Sequence, residues 1–229
     1  MTTPPPWSYS SLDCFAKCPR QYYHRYILKE KQPETEAQRL GNELDKAMEA
    51  RLQVATPLPP HFAQHEAFAA SLYNKRGSGV KLSTQLKLGL DRQFKAVPFF
   101  DPAVWGRGVL DALLYNPDEA WATIIDWKTG KNSEKKSYSN GGLQLKIFAA
   151  MTFKHFPKVQ KITAFNIWLN DGGIGAPLVF TREQERGLWM EILPLVLRVE
   201  KACLEDKWPE MPSGLCGWCP VKACLHNRS

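Results

Sequence analysis

Two short stretches place carboxylates and a lysine inside otherwise apolar sequence: Gly106-Arg-Gly-Val-Leu-Asp111 and Ile124-Ile-Asp126-Trp-Lys128-Thr-Gly-Lys131. Acids at the inner end of an apolar strand are costly to bury without a partner or a metal. If the turn Asn116–Glu119 closes a regular hairpin, Tyr115 faces Ala120. Asp111 then lies opposite Ile124, with Asp126 as its diagonal neighbour on the same face. Lys128 shares that face because strand side chains alternate with period two. Two carboxylates and a lysine on one spot suit phosphodiester hydrolysis. Hard oxygen ligands would hold Mg²⁺ or Mn²⁺, and the lysine would orient the nucleophile or neutralise developing charge. The plainer alternative is a salt bridge on an exposed strand face.

A second chemical feature lies near the end of the chain, in the run Cys216-Gly-Trp-Cys219-Pro-Val-Lys-Ala-Cys224. All six cysteines sit near the two ends, the others being Cys14, Cys18 and Cys203. In an intracellular chain such clustering points to a metal or cluster site rather than to disulfides. Three thiolates need a fourth ligand, and Cys18, Cys14 and His226 are the candidates. All-thiolate ligation accepts zinc or an iron–sulfur cluster. Cys203, among apolar residues in mid-helix, reads as core.

These residues need elements to hold them. Ser10 is expected to cap a first helix, with Asp13 as its box partner. Helices are expected over about 34–52 and 61–74, and the apolar spacing of Leu40, Leu44, Ala47 and Met48 supports the first of them. The pattern then turns to strands at 80–90, 104–115 and 120–127. A helix over about 143–156 follows, with Gln144 on the same face as Ile147, Phe148 and Met151. A strand pair is expected at 161–169 and 174–180, across the turn Asn-Asp-Gly-Gly. Thr181 and Gln184 form a capping box for a long helix towards Asp206, kinked at Pro194. The tail from Trp208 has too little apolar periodicity to fold alone, so something must pin it. A buried Gln144 needs partners, and a phosphate or a water near the lysine would serve; an ordinary satisfied core glutamine is the alternative.

The 229 residues are 44% hydrophobic and 23% charged, which excludes disorder and coiled coil. No stretch is apolar enough to span a membrane, and the N-terminus lacks a signal pattern, so an intracellular protein is expected. The net charge is +7, with a pI near 9.1, which suits a polyanionic partner. The excess is concentrated in 14–32 and 129–165, which together hold more positive charge than the whole chain nets.

Taken together, these motifs resemble the PD-(D/E)XK nuclease superfamily, specifically its RecB-like branch, over almost the whole chain. Ser8-Tyr-Ser-Ser-Leu through Cys18-Pro-Arg-Gln-Tyr22 is similar to the family's opening. Gly106 to Asp111 matches the "PD" motif, with Leu110 in the proline position, and Asp126-Trp-Lys128-Thr-Gly matches D-x-K-T-G. Gln144 with Phe148 resembles Q-x-x-x-Y, with the phenol hydroxyl lost. Gly41-Asn-Glu-Leu-Asp45 resembles G-x-x-x-H, with Asp45 at the histidine position.

The resemblance implies an α/β fold: a restriction-endonuclease-like core with a mixed central sheet flanked by helices, its N- and C-terminal segments joined by a cysteine cluster. It implies one domain over 1–229, made of a helical part (1–75), a nuclease core (80–206) and a cysteine tail (207–229). Asp111, Asp126, Lys128 and Gln144 would be catalytic, and Asp45, Asp111 and Asp126 would bind Mg²⁺ or Mn²⁺. Cys18, Cys216, Cys219 and Cys224 would hold a [4Fe–4S] cluster, with Zn²⁺ as the alternative. Arg20, Tyr22, Arg107 and Lys131 would contact nucleic acid, and Tyr22, Tyr23 and Tyr26 would stack on unpaired bases or else pack in the core. The expected activity is a metal-dependent DNA exonuclease on single-stranded or end-bearing DNA in recombination, repair or replication. It would have no membrane partner, and could form a homo-oligomer or join a recombination or helicase partner. The alternatives are a structure-selective endonuclease and a non-catalytic nucleic-acid-binding module.

Overall fold

The computed structural model describes residues 3–31, 34–129, 134–169 and 173–228, with backbone alone at 134–141. Lys131 and the turn at 170–172 lie outside the described residues. The helices are α1 (Tyr9–Lys17), α2 (Pro19–Tyr22, continued by a π-helical turn Tyr23–Ile27), α3 (Glu36–Val54), α4 (Glu66–Tyr73), α5 (Glu134–His155) and α6 (Glu185–Glu205). The strands are β1 (Lys81–Leu90), β2 (Ala96–Val97), β3 (Gly106–Asn116), β4 (Trp121–Lys128), β5 (Lys161–Trp168), β6 (Gly173–Ile174) and β7 (Leu178–Thr181).

Ser8 caps α1, not Ser10. Its backbone is extended, and it exchanges hydrogen bonds with Ser11, whereas Ser10 already lies inside the first turn. The box at Thr181 and Gln184 is present and opens a short 3-10 turn before α6, which runs through Pro194. Among the described strands the sheet order is β2-β1-β3-β4-β5-β6, with β7 also paired to β5. Only β4 and β5 run parallel, and α5 is the crossover between them. One face is covered by α1, α5 and α6, the other by α3 and α4. The fold is therefore a mixed α/β sandwich of the expected kind.

The β3–β4 hairpin keeps a loop of the expected length but places it one residue later in the chain. Asn116 pairs with Trp121 and Tyr115 with Ala122, a register two residues from the expected one. The Asn116 carboxamide oxygen accepts the N–H groups of Asp118 and Glu119, and Ala120 takes φ +58° to finish the turn. A shift of two preserves the facing of side chains but brings Asp111 level with Asp126 instead of Ile124.

A second irregularity lies in the neighbouring pair. Thr84 pairs with Ala112 and Leu86 with Leu110, while Gln85 and Asp111 between them leave the ladder, and Gln85 takes φ +47°. The two strands exchange faces there. Leu82, Ala112 and Leu114 belong to the α3/α4 side, whereas Leu86, Leu88, Leu90 and Leu110 belong to the α5/α6 side. This break frees Asp111 from regular pairing.

Two glycines let the covering layers approach. A side chain on Gly106 would meet the Trp7 ring at 2.4 Å, and one on Gly108 would meet the Met151 sulfur at 3.0 Å. The first contact seats the N-terminal segment on β3, where Trp7 N–H donates to Trp105 and Arg107 N–H donates to Trp7. The second brings α5, and with it Gln144, down onto the sheet.

Candidate active site and cysteine cavity

The ladder between β3 and β4 stops at Ala112 and Ile125. One residue further, the Asp111 carboxylate accepts the backbone N–H of Trp127 at 3.0 Å. Asp126, on β4, is 2% exposed and forms an ion pair with Lys128, two residues on. Gln144 ties the group together: its Nε2 donates to Asp126 at 2.9 Å, and its Oε1 accepts from Lys128 Nζ at 3.0 Å. Such a bridge uses both ends of the carboxamide and fixes the ammonium beside the carboxylate.

From the other face, α3 brings Gly41 against the Thr129 hydroxyl and Asp45 against Trp127, whose indole N–H donates to Asp45 at 2.7 Å. The other acids of α3 turn elsewhere: Glu43 pairs with Arg39 and His61, and Glu49 accepts from Gln53. The expected residues Asp45, Asp111, Asp126, Lys128 and Gln144 are thus drawn from four elements to one place.

Electrostatics reflect that crowding. Burial, then the charges of Asp126 and Asp45, push the Asp111 carboxyl well above its ordinary range, against the pull of Lys128 and the Trp127 N–H. Burial also raises Asp126, opposed by Lys128, and raises Asp45, opposed by the Trp127 bond. Burial and the charges of Asp13 and Asp126 push Tyr9, at the start of α1, up to about 12. The protein spends stability here to keep three acids together. As placed, among the described residues, no three acids, cysteines or histidines are gathered closely enough to hold a metal ion. The donor set is nonetheless hard oxygen, and a cation would relieve the repulsion.

The cysteines meet at the opposite end of α1. Cys18 joins α1 to α2, and with Cys14, Cys216, Cys219, Cys224 and His226 it lines a cavity of about 480 Å³. Burial raises the Cys219 thiol, and the three neighbouring thiols Cys18, Cys224 and Cys216 add to this. His226 faces Glu210 at 3.3 Å. Cys14 is buried and pushed up to about 11; Cys203 is fully buried core, as expected, and also about 11. The tail is pinned by Trp208 stacked on Tyr22, by Arg20 N–H donating to Pro209, and by the Asn227 carboxamide donating to Cys219 and Val221.

The nucleic-acid expectations need one correction. Tyr22 is 0% exposed, packed between Trp208, Phe15 and Tyr26, so it cannot stack on a base. Tyr23 and Tyr26 are partly buried against the same cluster. The spacing Tyr-Tyr-x-x-Tyr could not reveal this, because the ring that buries Tyr22 comes from the far end of the chain. Arg20 and Arg107 are partly buried, stacked over Tyr23 and over Phe99 and Phe100 respectively.

Two polar groups near the carboxylates had gone unread: the Trp127 indole and Asn166, buried on β5. The signal for Asn166 was in the sequence, a lone carboxamide within the apolar strand Ile162 to Trp168.

A crystal structure recorded as SSO0001 aligns over all of this chain and 90% of its own, at 14% identity and TM-score 0.46. A protein from Eubacterium rectale described as a candidate exonuclease aligns over 98% of this chain and 88% of its own, at 16% identity and TM-score 0.56, a likeness of fold. Comparison with curated proteins gives no match. Residues 6–224 match the family model of the PD-(D/E)XK nuclease superfamily, and the chain belongs to that superfamily.

Proposed function

We propose that this chain is a metal-dependent DNA exonuclease of the RecB-like branch, one domain over 1–229, hydrolysing single-stranded or end-bearing DNA in recombination, repair or replication. The observation that carries this reading is the Gln144 bridge between Asp126 and Lys128 beside Asp111. A bare salt bridge on a strand face needs no buried second carboxylate and no glutamine spanning both charges.

Asp111, Asp126 and Asp45 would hold Mg²⁺ or Mn²⁺; when bound, the ion supplies Lewis-acid polarisation of the scissile phosphate. Lys128, held by Gln144 beside Asp126, would offset charge that develops on the phosphate oxygens. Burial of Asp126 holds its carboxylate away from bulk solvent. Arg107, with Lys131, is assigned to the DNA backbone; Arg20 supports the tail and adds positive charge nearby.

The same reading assigns Cys18, Cys216, Cys219 and Cys224 to a [4Fe–4S] cluster, with zinc as the rival occupant. A shared cavity lined by all four thiols supports the assignment. Among the described residues no helix is long and apolar enough to cross a membrane. The chain carries no helicase motif of its own, so unwinding would fall to a partner, or the substrate would already offer a single-stranded end.

The deciding experiment uses anaerobically purified protein on end-labelled linear and circular single strands, with and without Mg²⁺ or Mn²⁺. Exonuclease action degrades the linear strand only. Cutting of the circle favours an endonuclease, and binding without cleavage favours the non-catalytic module.

A further inference from the structure

The parallel ladder between β4 and β5 sets Asp126 directly opposite Asn166. Paired residues of adjacent strands project from the same face, so the carboxylate and the carboxamide stand side by side on the face covered by α5. Asn166 is 7% exposed, and its Oδ1 has no hydrogen-bond partner. An unpaired buried acceptor is destabilising, and leucine or valine would suit a strand otherwise built from Ile162, Ala164 and Ile167. A polar group kept at such a cost calls for an explanation.

Its neighbour supplies one. Asp126 and the Asn166 oxygen are both acceptors and cannot bond each other; a molecule with two hydrogens between them satisfies both. Gln144 is already bonded to Asp126, and Lys128 to Asp126 and Gln144. Each carboxylate oxygen has capacity for a second bond. Water is the donor of that shape, and polar pockets in protein interiors take it up.

We propose that Asn166 is a positioning residue of the nuclease site: through one internal water shared with Asp126, it keeps that carboxylate turned towards Asp111. The proposal rests on the nuclease reading above. It also accounts for a neutral side chain at this position, because a further carboxylate beside Asp126, Asp111 and Asp45 would add repulsion without adding a hydrogen.

The test compares wild type, Asn166→Leu and Asn166→Asp by three readings: thermal midpoint without metal, Mn²⁺ affinity of DNA-free protein from tryptophan fluorescence, and kcat and KM on a linear single strand. Asn166→Leu is expected to melt at or above the wild-type temperature. It should bind Mn²⁺ about 10- to 100-fold more weakly, the loss typical of supports behind metal ligands. Its kcat should fall while KM for DNA stays within about twofold. Asn166→Asp retains an oxygen at the same point and should hold Mn²⁺ within about threefold of wild type. The proposal is overturned if Asn166→Leu is more stable yet binds Mn²⁺ and cleaves as wild type does, since the oxygen is then only a packing defect. Should Asn166→Leu not fold, Asn166→Asp decides: a loss of Mn²⁺ affinity as large as that expected of leucine overturns the proposal. A wild-type protein that neither binds Mn²⁺ nor cleaves DNA removes the nuclease reading and this inference together, whereas a normal wild type with a normal Asn166→Leu removes the inference alone.

Discussion

The Asp111 carboxylate takes the backbone N–H of Trp127 at the point where β3 and β4 stop pairing through their backbones. A side chain thereby fills the place of a strand, and the acid is fixed level with Asp126. With Asp126 and Asp45 close by, that carboxyl titrates well above its ordinary range.

A consequence for stability follows. An acid whose folded pKa is raised binds protons more readily folded than unfolded, so stability falls as pH rises from the ordinary carboxylate range through the folded value. Ionisation of Asp111 therefore opposes folding. Asp111→Asn should raise the melting temperature of metal-free protein at pH 7, with less gain near pH 4. Mn²⁺ should raise the wild-type midpoint and leave the variant's nearly unmoved, as scanning calorimetry with and without the ion would show.

Asp111→Ala, Asp126→Ala and Lys128→Ala should each lower cleavage by about 10²-fold or more, on the scale of losing a group that stabilises the transition state. DNA binding should persist because it rests on the basic surface. A cleavage assay paired with filter binding separates the two effects, and wild-type cutting by Asp126→Ala would refute the catalytic assignment.

As a ligand, Asp45 would make the ion's surroundings harder than an imidazole would. Imidazole suits transition metals better than Mg²⁺. Mg²⁺ should therefore support activity well, and Asp45→His should shift preference towards Mn²⁺. Activity titrated against each ion checks this; unchanged dependence on both in Asp45→Ala would show that Asp45, though bonded to Trp127, is no ligand.

Protein purified without oxygen should be brown, and Cys18→Ala or Cys219→Ala should bleach it. Either change should also cost about 3–5 kcal/mol in stability, the scale of opening a long covalent loop. Metal and acid-labile sulfide analysis settles the occupant. Zinc without sulfide would replace the cluster assignment.

Tyr22 offers a test of packing against binding. Its hydroxyl is buried without a partner, and burial drives the phenol pKa far up. Tyr22→Phe should leave stability equal or slightly higher, while Tyr22→Ala should lose about 3–5 kcal/mol as large core truncations do. Neither should change the salt dependence of DNA binding once the fold is intact. Denaturant melts and binding at several salt concentrations give both numbers.

The sequence showed which face the acids share but not how far along they meet. Strand alternation settles the parity of Asp126 and Lys128 on its own, whereas Asp111 sits where β3 changes face. The register depended on Asn116 capping the turn and on Ala120 adopting a left-handed conformation, and neither residue announces that role. The exchange of faces beside Asp111 was equally hidden, because Gln85, not glycine, carries the positive φ. Helix α3 was legible from its spacing, yet Leu40 proved 37% exposed, since only Leu44, Met48 and Leu52 reach the sheet. For Tyr22 the choice between stacking on bases and packing in the core is not legible locally, because the ring stacked on it, Trp208, lies in no local window.

The seating of the N-terminal segment also sets an order of assembly. Trp7 meets Gly106 across roughly 100 residues of chain, and Tyr22 meets Trp208 across nearly 190, separations that slow folding because loop closure precedes any gain. During synthesis the first helix cannot dock until α5 and α6, which it packs against, have formed, and Tyr22 on α2 stays uncovered until Trp208 has left the ribosome. The hairpin bearing Asp111 and Asp126 faces no such wait. The nascent chain can thus form its acid pair early while holding an exposed aromatic helix, a state that invites chaperone capture late in translation.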